Sequence, residues 1–315
     1  MKIAFHSEQL GYRGTEVAMY DYAKYNEEIL GNQSIIIAHS EPSKLSAYNK
    51  FKTRFKVELY DDFSNVDKIC EKNKVDLFYI TKSGENDKKI CKSCKTAVHA
   101  VFPAKEPHGE VYAYISEWLS NFCYRGNMPY VPYMVEKNPE NRNLRGTLGI
   151  PNDSFVFGYH GGADSFDIKF VQESVYECAR KNKNTYFLFV GARPFCKNLP
   201  NIIHFPFTYD MSIKGMFINT CDAMIHARHR GETFGLAIAE FSCANKPVIT
   251  YFDSRERQHI EILRDAGIYY SNKEQIDYIF ENIKNIIDPK VNYDVYSERY
   301  SPRNVMNKFN EVFIK

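Results

Sequence analysis

Nowhere does this chain approach the roughly 18 consecutive apolar residues that a membrane-spanning helix requires. Its opening run, Met1-Lys2-Ile3-Ala4-Phe5, is too short for a secretory signal, and a cytoplasmic protein is expected. Charge of one sign is lacking too. Residues 1–150 carry 21 basic and 19 acidic side chains, and the remainder carries 20 of each. Neither half offers the electrostatic footprint that nucleic acid demands. There is no internal repeat and no low-complexity tract. The eight cysteines are scattered, and Cys91-Lys92-Ser93-Cys94 is a single CxxC with no second pair at zinc spacing. Reduced thiols packing as small hydrophobes are expected, with no metal or redox site. No Asp-x-Asp occurs, and His226 and His229 lack a third ligand at metal spacing. Neither glycine loop reads G-x-G-x-x-G, which removes the fingerprint of a Rossmann oxidoreductase.

What is present is an even alternation of strand and helix patterns. At 315 residues, 44% hydrophobic and 25% charged, the chain has room for two ordinary domains. Strands are expected at 2–5, 34–38, 57–59, 77–80, 97–101 and 113–115, with a helix over 15–30 and helical spacing over 65–74. The continuous apolar run Ser34–Ala38 suits a parallel sheet covered on both faces. A charged, turn-rich stretch, 136–154, reads as a linker after a first domain of 1–135. A second βα series follows in 155–295, with strands at 155–159, 186–190, 202–205, 223–225, 248–251 and 267–270. The amphipathic end, 296–315, reads as a closing helix.

The stretch from Ala227 to Thr250 carries the most chemistry. Glu232 and Glu240 are separated by seven residues, with Phe234-Gly235-Leu236 between them and Pro247-Val248-Ile249 after. Strand, glycine loop, helix and strand is the unit that turns a helix N-terminus toward an anionic ligand. Gly235 is expected to allow close backbone approach. Other candidates follow other strands: His160-Gly161-Gly162, Lys169, Arg193, Gly11 to Gly14, and His99 at a strand end.

The 227–250 motif resembles the Glu-(seven residues)-Glu signature of retaining glycosyltransferases of the family 4 type, and Ile150-Pro151-Asn152-Asp153 resembles the opening of their second domain. The likeness covers residues 140–285 well and 1–130 loosely. It implies an α/β fold of two Rossmann-like domains (GT-B) facing a central cleft, with the C-terminal helix packing back on the first. It also implies metal-independent retaining transfer from a nucleotide sugar to a glycan, lipid or other hydroxyl acceptor, with no cofactor beyond that donor. The residues implied in catalysis are Glu232, His99 and Lys169. Those implied in donor binding are Gly14, Gly161, Gly162, Arg193, Arg228, Phe234, Gly235, Leu236 and Glu240, with Glu240 on the ribose and Glu232 on the sugar. An arginine usual in the family's loop after the first strand of the second domain is absent here, its place beside His160-Gly161-Gly162 taken by glycine, so Arg228 or Arg230 supplies that charge or activity is weaker or lost.

Two other readings stay open. A glycosidase would use Glu232 and Glu240 as a carboxylate pair, though a helix N-terminus calls for an anionic leaving group. A non-catalytic protein that binds a nucleotide sugar or glycan could keep the same fold. Lastly, Lys44, Lys50, Lys52, Arg54 and Lys56 interleave with Tyr48, Phe51 and Phe55, so peripheral membrane contact through 44–56 is a further expectation.

Overall fold

The run Ile3-Ala4-Phe5 has no polar alternation, so it has to be covered on both faces, and all three residues are fully buried in the middle of a parallel sheet. In the computed structural model, which describes residues 1–315, the chain divides into two units. Unit 1 is Met1–Met134 with Tyr300–Lys315, and unit 2 is Val135–Arg299. Unit 1 begins with β1 (Lys2–Ser7), α1 (Gly14–Glu28), β2 (Gln33–His39), α2 (Tyr48–Arg54) and β3 (Lys56–Tyr60). It continues with α3 (Val66–Asn73), β4 (Leu77–Lys82), β5 (Lys95–Ala100), β6 (Val111–Tyr114) and α4 (Glu117–Tyr124). The strands are parallel in the order β3-β2-β1-β4-β5-β6, which is the doubly wound Rossmann order.

The basic aromatic stretch is spent inward. Phe51 and Phe55 are buried in unit 1, Arg54 pairs with Glu27 and Glu28, and Lys44 pairs with Glu8 and Glu41. Lys50 lies 4.4 Å above the Tyr20 ring. The side of the stretch that carries Phe51 and Phe55 is therefore packed into the protein's own core, while Lys52 and Lys56 stay exposed. No helix of the chain is long and apolar enough to cross a membrane.

Unit 2 contains α5 (Arg145–Leu148), β7 (Phe155–His160), α6 (Lys169–Lys181), β8 (Thr185–Val190), β9 (Ile202–Phe205) and α7 (Met211–Thr220). Then come β10 (Ala223–His226), β11 (Gly231–Glu232), α8 (Leu236–Cys243), β12 (Val248–Tyr251) and β13 (Glu256–Arg257). The last are α9 (Gln258–Leu263), β14 (Gly267–Tyr270) and α10 (Lys273–Ile286). Its six-stranded sheet runs β14-β12-β10-β7-β8-β9, the same winding as in unit 1. The winding reverses where β10 pairs with β7, and ligands of such sheets bind beyond the carboxyl ends of the strands at that point.

The stretch read as a linker is in fact knitted into unit 2. Arg145 pairs with Asp222 at 2.7 Å, the Leu144 N–H donates to Thr220 Oγ1, and Asn219 donates to the carbonyls of Glu140 and Arg142. The α7 side chains of Asn219 and Thr220 thus satisfy backbone groups of this stretch, and Arg145 ties it to Asp222 just past the helix. The chain rejoins unit 1 at Tyr300, a few residues later than the boundary expected at 296, and forms α11 (Pro302–Phe309). There Phe309 packs against Tyr22 and Tyr79 with ring centroids 5.3 and 5.2 Å away, and Phe313 lies 5.1 Å from the His99 ring.

Candidate functional site

Two loops leave the reversal point of the unit 2 sheet side by side. The one after β7 runs through Gly161 and Gly162 to α6, and the one after β10 runs through Arg228 and Glu232 to α8. They are stitched together: the Asp167 N–H donates to Ala227 O at 2.9 Å, and the His229 N–H donates to Asp167 Oδ1 at 2.7 Å. Neither α6 nor α8 has a side-chain cap at its N-terminus, whereas Asp210 caps α7 and Asn272 caps α10. Uncapped first-turn N–H groups, with the positive end of the helix dipole, suit an anion.

Gly235 stands at the start of α8 with φ +91°, a conformation that a side chain resists. An added Cβ would lie 3.3 Å from Glu232 Cβ, so the requirement here is set by backbone conformation more than by close approach. Gly161 differs: an added Cβ would meet the Tyr159 hydroxyl at 2.3 Å.

Glu232 lies under two basic groups, with Arg228 Nη1 at 2.8 Å and His226 Nε2 at 3.4 Å from Oε1. Burial on its own would raise the carboxyl, but His226 and Arg228 outweigh it and hold the group at about 2. Lys214 Nζ donates to Glu240 Oε1 at 2.7 Å, and His160 Nε2 stands 2.8 Å from Oε2 without the alignment of a hydrogen bond. Again burial opposes, and Lys214 with His160 brings the group down to about 2. Both carboxylates are ionised at neutral pH. Arg230 is committed elsewhere, to Glu256 at 2.8 Å, so of the two arginines it is Arg228 that faces Glu232.

The remaining expected residues scatter. Lys169 opens α6 and is exposed; Arg193 is exposed and pairs with Asp164 of the glycine loop at 2.9 Å. Leu236 is the half-buried first residue of α8. Phe234 is buried edge-on against Tyr296, so its side chain serves the core and offers a ligand only backbone. In unit 1, Gly14 is exposed at the start of α1. His99 is a clear correction. It is fully buried, its Nε2 donates to Val131 O at 2.9 Å, and its Nδ1 accepts from Tyr79 Oη at 2.6 Å. Burial lowers it to about 3, and a neutral ring with both nitrogens used has nothing left for a substrate. Lys214 and His160 are the residues that sequence reasoning left without a role. His160 was visible as the residue before Gly161-Gly162, but nothing in the sequence around Lys214 marks it.

No family model and no characterised protein sequence matches this chain. Solved structures do match. A crystal structure of Anabaena HepE in complex with UDP and glucose aligns over 99% of this chain and 98% of that one, with TM-score 0.77 and 14% identity. AviGT4, a glycosyltransferase involved in avilamycin A biosynthesis, aligns over 99% and 97% with TM-score 0.67 and 11% identity. WaaG, a glycosyltransferase involved in lipopolysaccharide biosynthesis, aligns over 99% of each chain with TM-score 0.66 and 10% identity. The chain thus has the fold of GT-B glycosyltransferases, with two Rossmann-like units.

Proposed function

We propose that this protein is a retaining glycosyltransferase that moves a sugar from a nucleotide-sugar donor to a hydroxyl of a glycan or lipid-linked acceptor, without a catalytic metal. The observation that carries this reading is the uncapped α8 N-terminus flanked by Glu232 and Glu240 at the reversal point of the unit 2 sheet. A diphosphate there gains stabilisation from the helix as it takes on charge in leaving. Arg228 and Lys169 add positive charge in the place of the absent loop arginine. Glu240, oriented by Lys214 and His160, accepts from the ribose hydroxyls, and Glu232 accepts from hydroxyls of the donor sugar. The protein supplies position and electrostatics, and the leaving diphosphate takes the acceptor's proton on the same face of the sugar.

The glycosidase alternative loses support here. Such an enzyme needs one carboxyl that keeps its proton near neutral pH, and both glutamates are held at about 2. Eight unpaired cysteines suit a reducing compartment, so we place the protein in the cytoplasm. HepE was crystallised with UDP-glucose, which makes that donor the first to try.

The test is a thermal-shift screen of UDP-, GDP- and dTDP-sugars, since a ligand of the folded state raises Tm. Hits are then assayed for transfer in chelator, with the product anomer read by NMR. Inversion of the anomeric centre, or a rate that depends on added magnesium or manganese, would contradict the proposal. Tight donor binding without any turnover across acceptors would favour the non-catalytic reading, to which the missing loop arginine also points.

A further inference from the structure

Three of the eight cysteines meet in unit 1, far along the chain from the glutamate site. Cys70 lies on α3, and Cys91 and Cys94 lie in the loop before β5; their sulfurs are all within 4.8 Å of one another. Cys91 Sγ and Cys94 Sγ are 3.5 Å apart. Tetrahedral coordination at a Zn–S distance of 2.3 Å places sulfurs about 3.8 Å from each other, so the spread matches a single ion. An iron–sulfur cubane, whose irons are themselves separated, would hold its cysteines farther apart.

The frame around the sulfurs is built without their help. The Asp67 carboxylate accepts from the Lys92 N–H at 2.7 Å, and the Asp67 carbonyl accepts from Ser93 Oγ at 3.2 Å, which fastens the loop to α3. Cys91 and Thr96 exchange two hydrogen bonds of 3.0 Å, which fix the loop to β5. Cys70 and Cys91 are buried and Cys94 is half-buried, leaving one open side. Thiols that only filled core space would need no polar partner, yet the Ser93 backbone N–H approaches Cys91 Sγ, and the Ser93 hydroxyl oxygen, whose proton goes to the Asp67 carbonyl, lies 3.2 Å from it. A backbone donor of that kind stabilises a metal-bound thiolate.

We propose that Cys70, Cys91 and Cys94 bind one thiophilic divalent cation, zinc foremost, which staples α3 to the loop before β5. The fourth position falls on the open side beside the half-buried Cys94, for water. Binding replaces three S–H bonds by three metal–sulfur bonds and releases three protons, with no change of oxidation state. The role is structural and separate from sugar transfer.

The experiment uses the whole chain, reduced, and titrates it with Co²⁺ and then Zn²⁺. The expected result is one equivalent of Co²⁺ giving a thiolate-to-cobalt charge-transfer band and tetrahedral ligand-field bands, displaced by one equivalent of Zn²⁺. Cys70→Ser should weaken Co²⁺ on the order of a hundredfold or more, while Cys196→Ser, away from the cluster, should change nothing. The wild-type spectrum stands whether or not the first variant folds. Absence of any cobalt spectrum in wild type, or an unchanged one in Cys70→Ser, would overturn the proposal. So would a Cys91–Cys94 disulfide in freshly isolated protein, shown by alkylation and mass mapping, since it would make the pair a redox couple.

Discussion

Nε2 of His160, the last residue of β7, stands 2.8 Å from Oε2 of Glu240 in the second turn of α8. With Lys214 on the other oxygen, elements β7, α7 and α8 converge on a single carboxylate. Lys214 fixes one oxygen and the His160 ring crowds the other, so the carboxylate has little room to turn, and lone pairs remain on both oxygens for a ligand hydroxyl.

The two glutamates should therefore fail differently. Glu240→Ala is expected to weaken free UDP by roughly ten- to a hundredfold, the worth of a hydrogen bond to a charged group. Glu232→Ala should leave UDP binding nearly intact and lower turnover, because its partner is the sugar in transit. Calorimetry with UDP alongside initial rates separates them, and equal loss of UDP affinity in both would reverse the assignment.

Lys214 is expected to act through Glu240. Lys214→Met should lower UDP affinity by about tenfold, since a carboxylate that loses its partner is free to turn. Lys214→Arg, which restores charge and reach, should recover most of it. If the arginine variant is as weak as the methionine one, orientation of Glu240 is not what Lys214 provides.

Acid should erase part of what Glu240 contributes to stability. Its carboxyl is at about 2 in the folded protein against an ordinary 4.5, so the fold favours the ionised form. That contribution is complete above 4.5 and fades as pH falls toward 2. The Tm gap between wild type and Glu240→Gln should thus be widest near neutral pH and narrow on acidification. A gap that stays constant from about pH 6 to pH 3 would mean that the ion pairs do not form in solution.

His99 gives the opposite pattern from a catalytic residue. His99→Phe strands the Tyr79 hydroxyl and the Val131 carbonyl in the core, at a cost of about 1–3 kcal/mol. Tm should fall while kcat and UDP affinity of the folded fraction hold. Lost turnover at unchanged Tm would restore the catalytic reading.

Much of this was legible before any coordinates. Runs such as Ser34–Ala38 and Phe187–Val190 announce strands buried on both faces, and glycine loops after them announce βα turns. The spacing of Glu232, Gly235 and Glu240 is local, so it survives translation into structure intact. What the sequence hid is non-local. Lys214 reaches Glu240 only because α7 packs beside α8, and Cys70 joins the CxxC only because α3 and the loop before β5 are neighbours in space. His99 misled because a strand end looks open in one dimension, while the rings of Tyr22 and Phe313 close over it in three. The 136–154 stretch misled for a related reason, since a polar, turn-rich segment whose backbone is bonded by a distant helix looks the same as one in water.

The return of the chain to unit 1 at Tyr300 has a consequence for how the protein is made. In chain order residues 1–134 precede unit 2, but the rings of Phe309 and Phe313 that cover Tyr79 and His99 follow it. Unit 1 therefore lacks these two rings until the whole of unit 2 has been made. A fragment ending at residue 301 should therefore show unit 2 protected from protease and unit 1 less so.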